Sequence, residues 1–214
     1  MNEGPSRWDD VLGSMPEATL AVRRAAFRQL LSGRSALIET VADEAGLSTD
    51  GAREAVDLVV SVGMAEVDDG TIVGMDGLTT RRTRHGLVLD GIELWTWCAS
   101  DIVGIVAAVG AEAVGRTECG ACGRPIEVPI REGRPEESSA VGWLPDESCA
   151  NVMAEFCPSA LLFCSRAHLD EWRAGQDTTC WRHLGHRGPR RSRPELLASA
   201  RSMKGQASRS AARS

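Results

Sequence analysis

The sequence predicts an α+β fold: a winged-helix-like helical N-terminal part followed by a mixed sheet-and-helix part. Three observations carry this. Apolar residues recur at helix spacing in three successive segments before residue 65. Two Asp-Gly dipeptides, Asp69-Gly70 and Asp90-Gly91, sit between apolar runs, the signature of tight hairpins. Beyond residue 100 the period changes to two, with Ile126, Val128 and Ile130 in alternation. The corresponding division is 1–80 for the winged-helix-like part, 81–186 for the mixed sheet-and-helix part, and 187–214 for a basic disordered tail.

Residues 1–16 lack a pattern and read as a loose arm ending at Pro16. From Glu17, Leu20, Phe27, Leu30 and Leu31 mark a first helix, stopped by Ser32-Gly33. Ile38, Val41, Ala42 and Ala45 mark a second, closed by Gly46. Ser48-Thr49-Asp50 offers N-caps for a third, with Val56, Val59, Val60 and Met64 as its apolar face. A hairpin turning at Asp69-Gly70 completes the winged-helix plan. DNA binding would fall to the third helix, but its exposed positions include Asp50, Glu54 and Asp57 against a single Arg53. Phosphate and base edges call for basic and amide side chains there, so this part reads as scaffold.

The basic run 78–85 reads as an edge strand or a bridge over an acidic body, with His85 as a hydrogen-bonded structural residue. Leu87 to Leu94 forms the second hairpin and leads into Trp95-Thr96-Trp97-Cys98. An apolar helix from Ile102 ends near Gly110 to Gly115. Cys119-Gly120-Ala121-Cys122 is a knuckle-like turn before the strand at Ile126–Ile130. Residues 131–140 read as an exposed loop, and Val141–Leu144 and Ala160–Phe163 as strands. Ser165 caps a helix carrying His168, Leu169 and Trp172.

The formal charge of −6 is uneven. Residues 181–214 hold nine Lys or Arg and one Glu, which leaves −14 on the preceding 180 residues. A body that acidic repels nucleic acid. The plain reading of the tail is a solvated segment. There is no apolar N-terminal segment of signal-peptide type and no apolar run long enough to span a bilayer, so a cytoplasmic protein without membrane association is expected. Seven cysteines in a reducing compartment point to metal or catalysis more than to disulfides. Cys149 and Cys180 fit no pattern and read as packing or surface thiols.

Two cysteine constellations stand out. In the first, Cys98 precedes Asp101 by three residues at the start of an apolar helix, so the two share the face of its first turn. A helix N-terminus lowers a thiol's pKa, and a carboxyl one turn away can exchange a proton. A plain core cysteine is the bland alternative. With Cys157 added, two thiolates and one carboxylate suit a soft metal centre bonded to carbon. The sulfurs would hold the metal while the acid protonates the departing carbon. In the second, Cys119-x-x-Cys122 and Cys164-x-x-x-His168 have spacings that suit a structural tetrahedral zinc. The bland alternative is four unrelated residues with Cys119 merely buried.

These residues resemble the organomercurial (alkylmercury) lyase family. The resemblance runs through Ile72-Val73-Gly74, Gly77-Leu78-Thr79, His85, Asp90-Gly91, Leu94, Trp97-Cys98-Ala99 and Asp101. It continues through Gly110, Gly115-Arg116-Thr117 and Cys119, then Phe156-Cys157, and reaches Trp172. It implies catalytic roles for Cys98, Asp101 and Cys157 in protonolysis of a carbon–mercury bond, yielding a hydrocarbon and Hg(II) held by the two sulfurs, in mercury detoxification. It further implies no cofactor for catalysis, an external thiol for product release, and hand-over of Hg(II) to a mercuric reductase. A monomer or weak dimer is expected. The chain departs from the family pattern at Pro158, where a second cysteine is common, and at Cys122 and Cys164, which are often absent. Two other functions remain open. One is a zinc-stabilised winged-helix metal sensor or transcriptional regulator. The other is a lyase-like protein acting on another soft-metal substrate.

Overall fold

The computed structural model describes residues 7–145 and 150–176. Cys149, Cys180 and the tail at 187–214 lie outside the described residues. The N-terminal elements are α1 (Arg7–Ser14), α2 (Glu17–Leu31), β1 (Ala36–Leu37), α3 (Ile38–Ala45) and α4 (Thr49–Ser61), then β2 (Ala65–Asp68) and β3 (Thr71–Met75). This is the winged-helix-like plan. The expected loose arm instead contains α1. Val11 and Leu12 are partly covered there, and the turn ends with Met15 buried.

The three following helices form for the reasons their sequences suggest. Gly46 closes α3 at φ 69°, a left-handed conformation open to glycine at no steric cost. The Ser48 hydroxyl accepts the Gly51 N–H at 3.1 Å and caps α4. The buried face of α4 is Ala52, Ala55, Val56 and Val59. Val60 is exposed and Met64 lies beyond the helix end, so the expected apolar face is corrected by one turn. Small alanines at the interface let α2 and α3 approach α4 closely. On the exposed side of α4, Arg53 is engaged by Glu39 at 3.2 Å, which leaves Asp50, Glu54 and Asp57 to face solvent.

The remaining elements are β4 (Leu78–Thr79), β5 (Gly86–Leu89), β6 (Ile92–Thr96), α5 (Ala99–Val109), β7 (Ala113–Glu118), β8 (Pro125–Arg131) and β9 (Arg134–Pro135). After these come β10 (Val141–Trp143), a π-helical turn (Val152–Phe156), a 3₁₀ turn (Cys157–Ser159), β11 (Leu161–Phe163) and α6 (Arg166–Ala174). One nine-stranded sheet runs β1-β3-β4-β6-β5-β7-β8-β9, with β2 paired to β3. Its neighbours are all antiparallel. The wing is therefore continuous with the sheet under α5.

Asp69-Gly70 (φ 45° and 71°) and Asp90-Gly91 (φ 49° and 80°) turn the two expected hairpins with both central residues at positive φ. Leu78–Thr79 is an interior strand rather than an edge, because β6 covers its second side. Arg81, just past it, does bridge to acid, pairing with Glu66 and Asp68. Three strands were not expected, the first being the short β1 beside β3. Residues 113–118 form β7, with Ala113, Gly115 and Thr117 turned inward. Within the expected loop, a turn at Glu132-Gly133 brings β9 back onto β8.

A continuous core joins Val22, Leu30, Val41, Val56 and Val59 of the helices to Ile72, Met75, Leu78 and Leu87 of the sheet and Ile102 and Val106 of α5. Strands β10 and β11 form a second, two-stranded sheet that packs on the same core through Phe163. Trp172 of α6 packs against it, 5.8 Å from Trp143 and 5.3 Å from Phe163 between ring centres. No helix among the described residues is long and apolar enough to cross a membrane.

The cap of α4 gives a direct test of this account. Ser48→Ala is expected to lower unfolding free energy by about 1 kcal/mol in urea titrations. An unchanged midpoint would show that the bond to Gly51 contributes nothing.

Candidate active site

Strand β6 delivers the chain to a small apolar cluster of Cys98, Cys157 and Ala160, flanked by Trp97, Val152 and Phe156. The Trp97 N–H donates to the Gly77 carbonyl at 2.9 Å, and the Thr96 hydroxyl donates to the Cys98 carbonyl at 2.9 Å. These bonds hold Cys98 extended, at φ −143° and ψ 171°, as the N-cap of α5. Asp101 is the third helical residue, and its Oδ2 accepts the Cys98 N–H at 3.0 Å. With the reciprocal arm from the Asp101 N–H to the Cys98 side chain, this is a capping box with cysteine in the serine position. The expected proximity of Cys98 and Asp101 holds, but it arises from the cap and not from a shared helical face.

Cys157 arrives from the other end of the chain. A π-helical turn capped by the Asn151 side chain, which accepts the Ala154 N–H at 2.9 Å, precedes the 3₁₀ turn that begins with Cys157. The Val152 N–H donates to the Val62 carbonyl at 3.1 Å, which ties this segment to the end of α4. Cys98 Sγ, Cys157 Sγ and an Asp101 carboxylate oxygen all lie within 4.8 Å of one another. The three residues expected to act together are therefore together.

Their protonation differs from that of ordinary thiols and carboxyls. The Cys98 thiol is lowered to about 6, chiefly by a hydrogen bond from Cys157, against the opposing effect of burial. Ser100 Oγ at 3.0 Å and Asp101 Oδ2 at 3.1 Å add to this. Asp101 is raised well above 3.8, first by burial and then by the Cys98 charge, so its carboxyl keeps its proton beside a thiolate. The site thus holds one thiolate and one neutral acid within a single hydrogen-bond length.

The supporting roles of Ser100, Gly77, Asp76 and Arg23 were not read from the sequence. Gly77 sits at φ 92°, and a Cβ there would lie 2.6 Å from the Asp101 carboxyl carbon. Only glycine allows that approach. Asp76-Gly77 is the same kind of dipeptide as the two hairpin turns, which signalled a bend but not its contact with Asp101. Arg23 of α2 reaches Asp76 Oδ1 through Nη2 at 2.8 Å and Nε at 3.2 Å. The helical N-terminal part therefore braces the turn beneath Asp101.

His85 is buried and structural, as expected. Its Nδ1 lies 2.7 Å from the Thr117 hydroxyl, and its Nε2 accepts from Arg84 Nε at 3.2 Å. Burial, then the Arg84 charge, lowers it from 6.5 to about 4. Its neutral form supports the fold fully above pH 6.5, and that support is lost as pH falls toward 4. A cavity of about 380 Å³ opens beside the site, with Cys157, Pro158, Trp97, Met153 and His85 in its wall and Arg81 and Arg84 at its rim. The second constellation also converges, with its four ligand atoms within 4.8 Å of one another.

Known proteins resemble this chain in sequence and fold. A family model described as MerB: Alkylmercury lyase matches residues 78–184. An alkylmercury lyase of Pseudomonas putida is 32% identical over 165 residues, covering 75% of this chain and 76% of that one. One from Staphylococcus epidermidis is 29% identical over 154 residues, covering 70% and 69%. A solved structure titled "Crystal structure of the mercury-bound form of MerB2" superposes with a TM-score of 0.76, covering 92% of this chain and 95% of that one. At 22% identity that likeness speaks for the fold.

The lowered pKa of Cys98 is measurable. Alkylation of Cys98 is expected to rise with pH through a midpoint near 6. In Cys157→Ala the midpoint should move up toward the ordinary thiol range, because the largest lowering influence is gone. An unmoved midpoint would assign the activation elsewhere.

Proposed function

The chain belongs to the alkylmercury lyase family, and from that premise we propose how Cys98, Asp101 and Cys157 divide the work of carbon–mercury protonolysis. The enzyme is an alkylmercury lyase; it splits an organomercurial into a hydrocarbon and Hg(II). The observation supporting the division of labour is the pairing of a thiolate with a neutral buried acid, with a second thiol within 4.8 Å of both.

The substrate enters as an organomercury thiolate, its organic group in the cavity beside Cys157. The Cys98 thiolate attacks mercury and displaces the external thiolate. The Cys157 proton passes to that leaving thiolate, and the Cys157 sulfur becomes the second ligand. Two sulfurs now press electron density onto mercury and weaken its bond to carbon. The Asp101 carboxyl gives its proton to that carbon as the bond breaks. A hydrocarbon leaves, mercury stays on Cys98 and Cys157 as Hg(II), and Asp101 is left ionised. Two external thiols then take the ion and return protons to the site. No other cofactor takes part in this sequence. The reading places the enzyme in the cytoplasm, where small thiols are abundant, and passes Hg(II) on to a mercuric reductase.

The regulator reading loses support on α4, whose single Arg53 is already held by Glu39. The test is hydrocarbon release from a methyl- or arylmercury compound in excess small thiol. Release should rise with pH through about 6 as Cys98 ionises, and fall again where Asp101 loses its proton. Asp101→Asn should slow it about 10²–10⁴-fold while Hg(II) uptake persists. Full turnover in Cys157→Ala, or none in the unaltered enzyme, would overturn the assignment.

A further inference from the structure

We infer that Cys119, Cys122, Cys164 and His168 hold a structural zinc ion that fixes the segment carrying Cys157. Three thiols and an imidazole form a donor set typical of closed, tetrahedral zinc sites. Zinc–sulfur bonds of about 2.3 Å and zinc–nitrogen bonds of about 2.0–2.1 Å require sulfurs about 3.8 Å apart and sulfur–nitrogen separations of about 3.5 Å. Cys122 Sγ and Cys164 Sγ are 3.8 Å apart. His168 Nδ1 is 3.8 Å from Cys119 Sγ and 3.0 Å from Cys164 Sγ. All four ligand atoms fall within 4.8 Å of one another.

The backbone is arranged for bound thiolates. The Cys119 N–H donates to the Arg124 carbonyl at 2.8 Å, and the Gly123 N–H donates to the Cys119 carbonyl at 2.9 Å. Gly123 completes that turn at φ 68°. The Cys164 N–H reaches the Cys119 sulfur at 3.5 Å from the opposite strand. Such a donor stabilises negative sulfur. His168 is presented from the first turn of α6, whose cap, Ser165, follows Cys164 directly.

The position gives the metal its effect. The Cys119–Cys122 turn links β7 to β8 on the main sheet, whereas Cys164 ends β11 of the small sheet. Outside the ligands, the two meet through the Gly120 N–H donating to the Leu162 carbonyl at 2.9 Å and through Gly120 packing on Phe163 and Leu161. Cys157 precedes Cys164 by seven residues along that same segment. Four strong bonds at the knuckle would hold the far end of the Cys157 turn against the sheet. The metal site stands apart from the lyase reading. Its consequence rests on Cys157 having the role proposed above.

The experiment is metal analysis of the full chain after zinc loading and desalting, beside Cys122→Ser and Cys98→Ser. About one zinc per chain is expected in the unaltered protein and in Cys98→Ser, with at least a tenfold loss in the exposed-site variant Cys122→Ser. Cobalt substitution should give the visible bands of a tetrahedral thiolate site. No retained metal, equal zinc in Cys122→Ser, or loss in Cys98→Ser would overturn the site. Hydrogen exchange then reads the consequence: residues 157–164 should exchange faster in the zinc-free protein. Unchanged protection there would overturn the link to Cys157, whatever the lyase assay shows.

Discussion

A single carboxyl oxygen, Asp101 Oδ2, accepts the N-cap amide of α5 and lies 3.1 Å from the Cys98 sulfur. The rest of the site depends on this double contact. As a cap, Asp101 fixes where α5 begins and so where the thiol points. As a buried acid beside a thiolate, it keeps its proton. The arrangement costs stability. A carboxyl whose folded pKa is raised is favoured in the folded state only while protonated, so stability falls as pH climbs from 3.8 through the raised value. A protein selected for stability alone would expose or pair this group.

The winged-helix-like part belongs to the same economy. Its hairpin strand β3 pairs with β4, which pairs in turn with β6, so the helical part and the reacting cysteine share one sheet. Arg23 carries a positive charge from α2 to Asp76, the residue before the glycine on which Asp101 rests. Asp76 itself is shifted upward by burial, a shift that Arg23 opposes. Part of the charge on Asp76 bears on Asp101, where it too favours the protonated form. The N-terminal helices thus act at the site through electrostatics and bracing.

Local signals in the sequence revealed most of the helices and both hairpins, because Gly46, Ser48, Asp69-Gly70 and Asp90-Gly91 act on their immediate neighbours. The misses follow from tertiary context. Strand β7 carries Gly115, Arg116 and Glu118, a poor strand pattern, and becomes a strand because β5 and β8 flank it on both sides. The short apolar residues of α1 make no periodic run of useful length. Within the site, Cys98 and Asp101 are legible as a pair from their spacing. Cys157 joins them only through a resemblance, since nothing local to Phe156-Cys157 says which sulfur it meets. Ser100, Gly77 and Arg23 act by contacts across 2, 24 and 53 residues of chain, and no pattern in the sequence ties Gly77 or Arg23 to Asp101.

On the mechanism proposed above, the proton inventory accounts for product release by an outside thiol. In that scheme the three groups carry one negative charge before reaction, on the Cys98 sulfur, with Asp101 neutral. After reaction both sulfurs are committed to mercury, and the negative charge has moved to Asp101. That carboxylate occupies a buried position which disfavours its ionised form, so the product complex holds the charge in an unfavourable place. Incoming thiols supply protons as well as sulfur. One proton restores Asp101 and one restores Cys157, while Cys98 returns to its thiolate. The burial that stores a proton for the carbon in the forward step therefore also favours clearing the metal in the last one. A more exposed carboxyl in the same place would do neither, because water would stabilise its charge in every state.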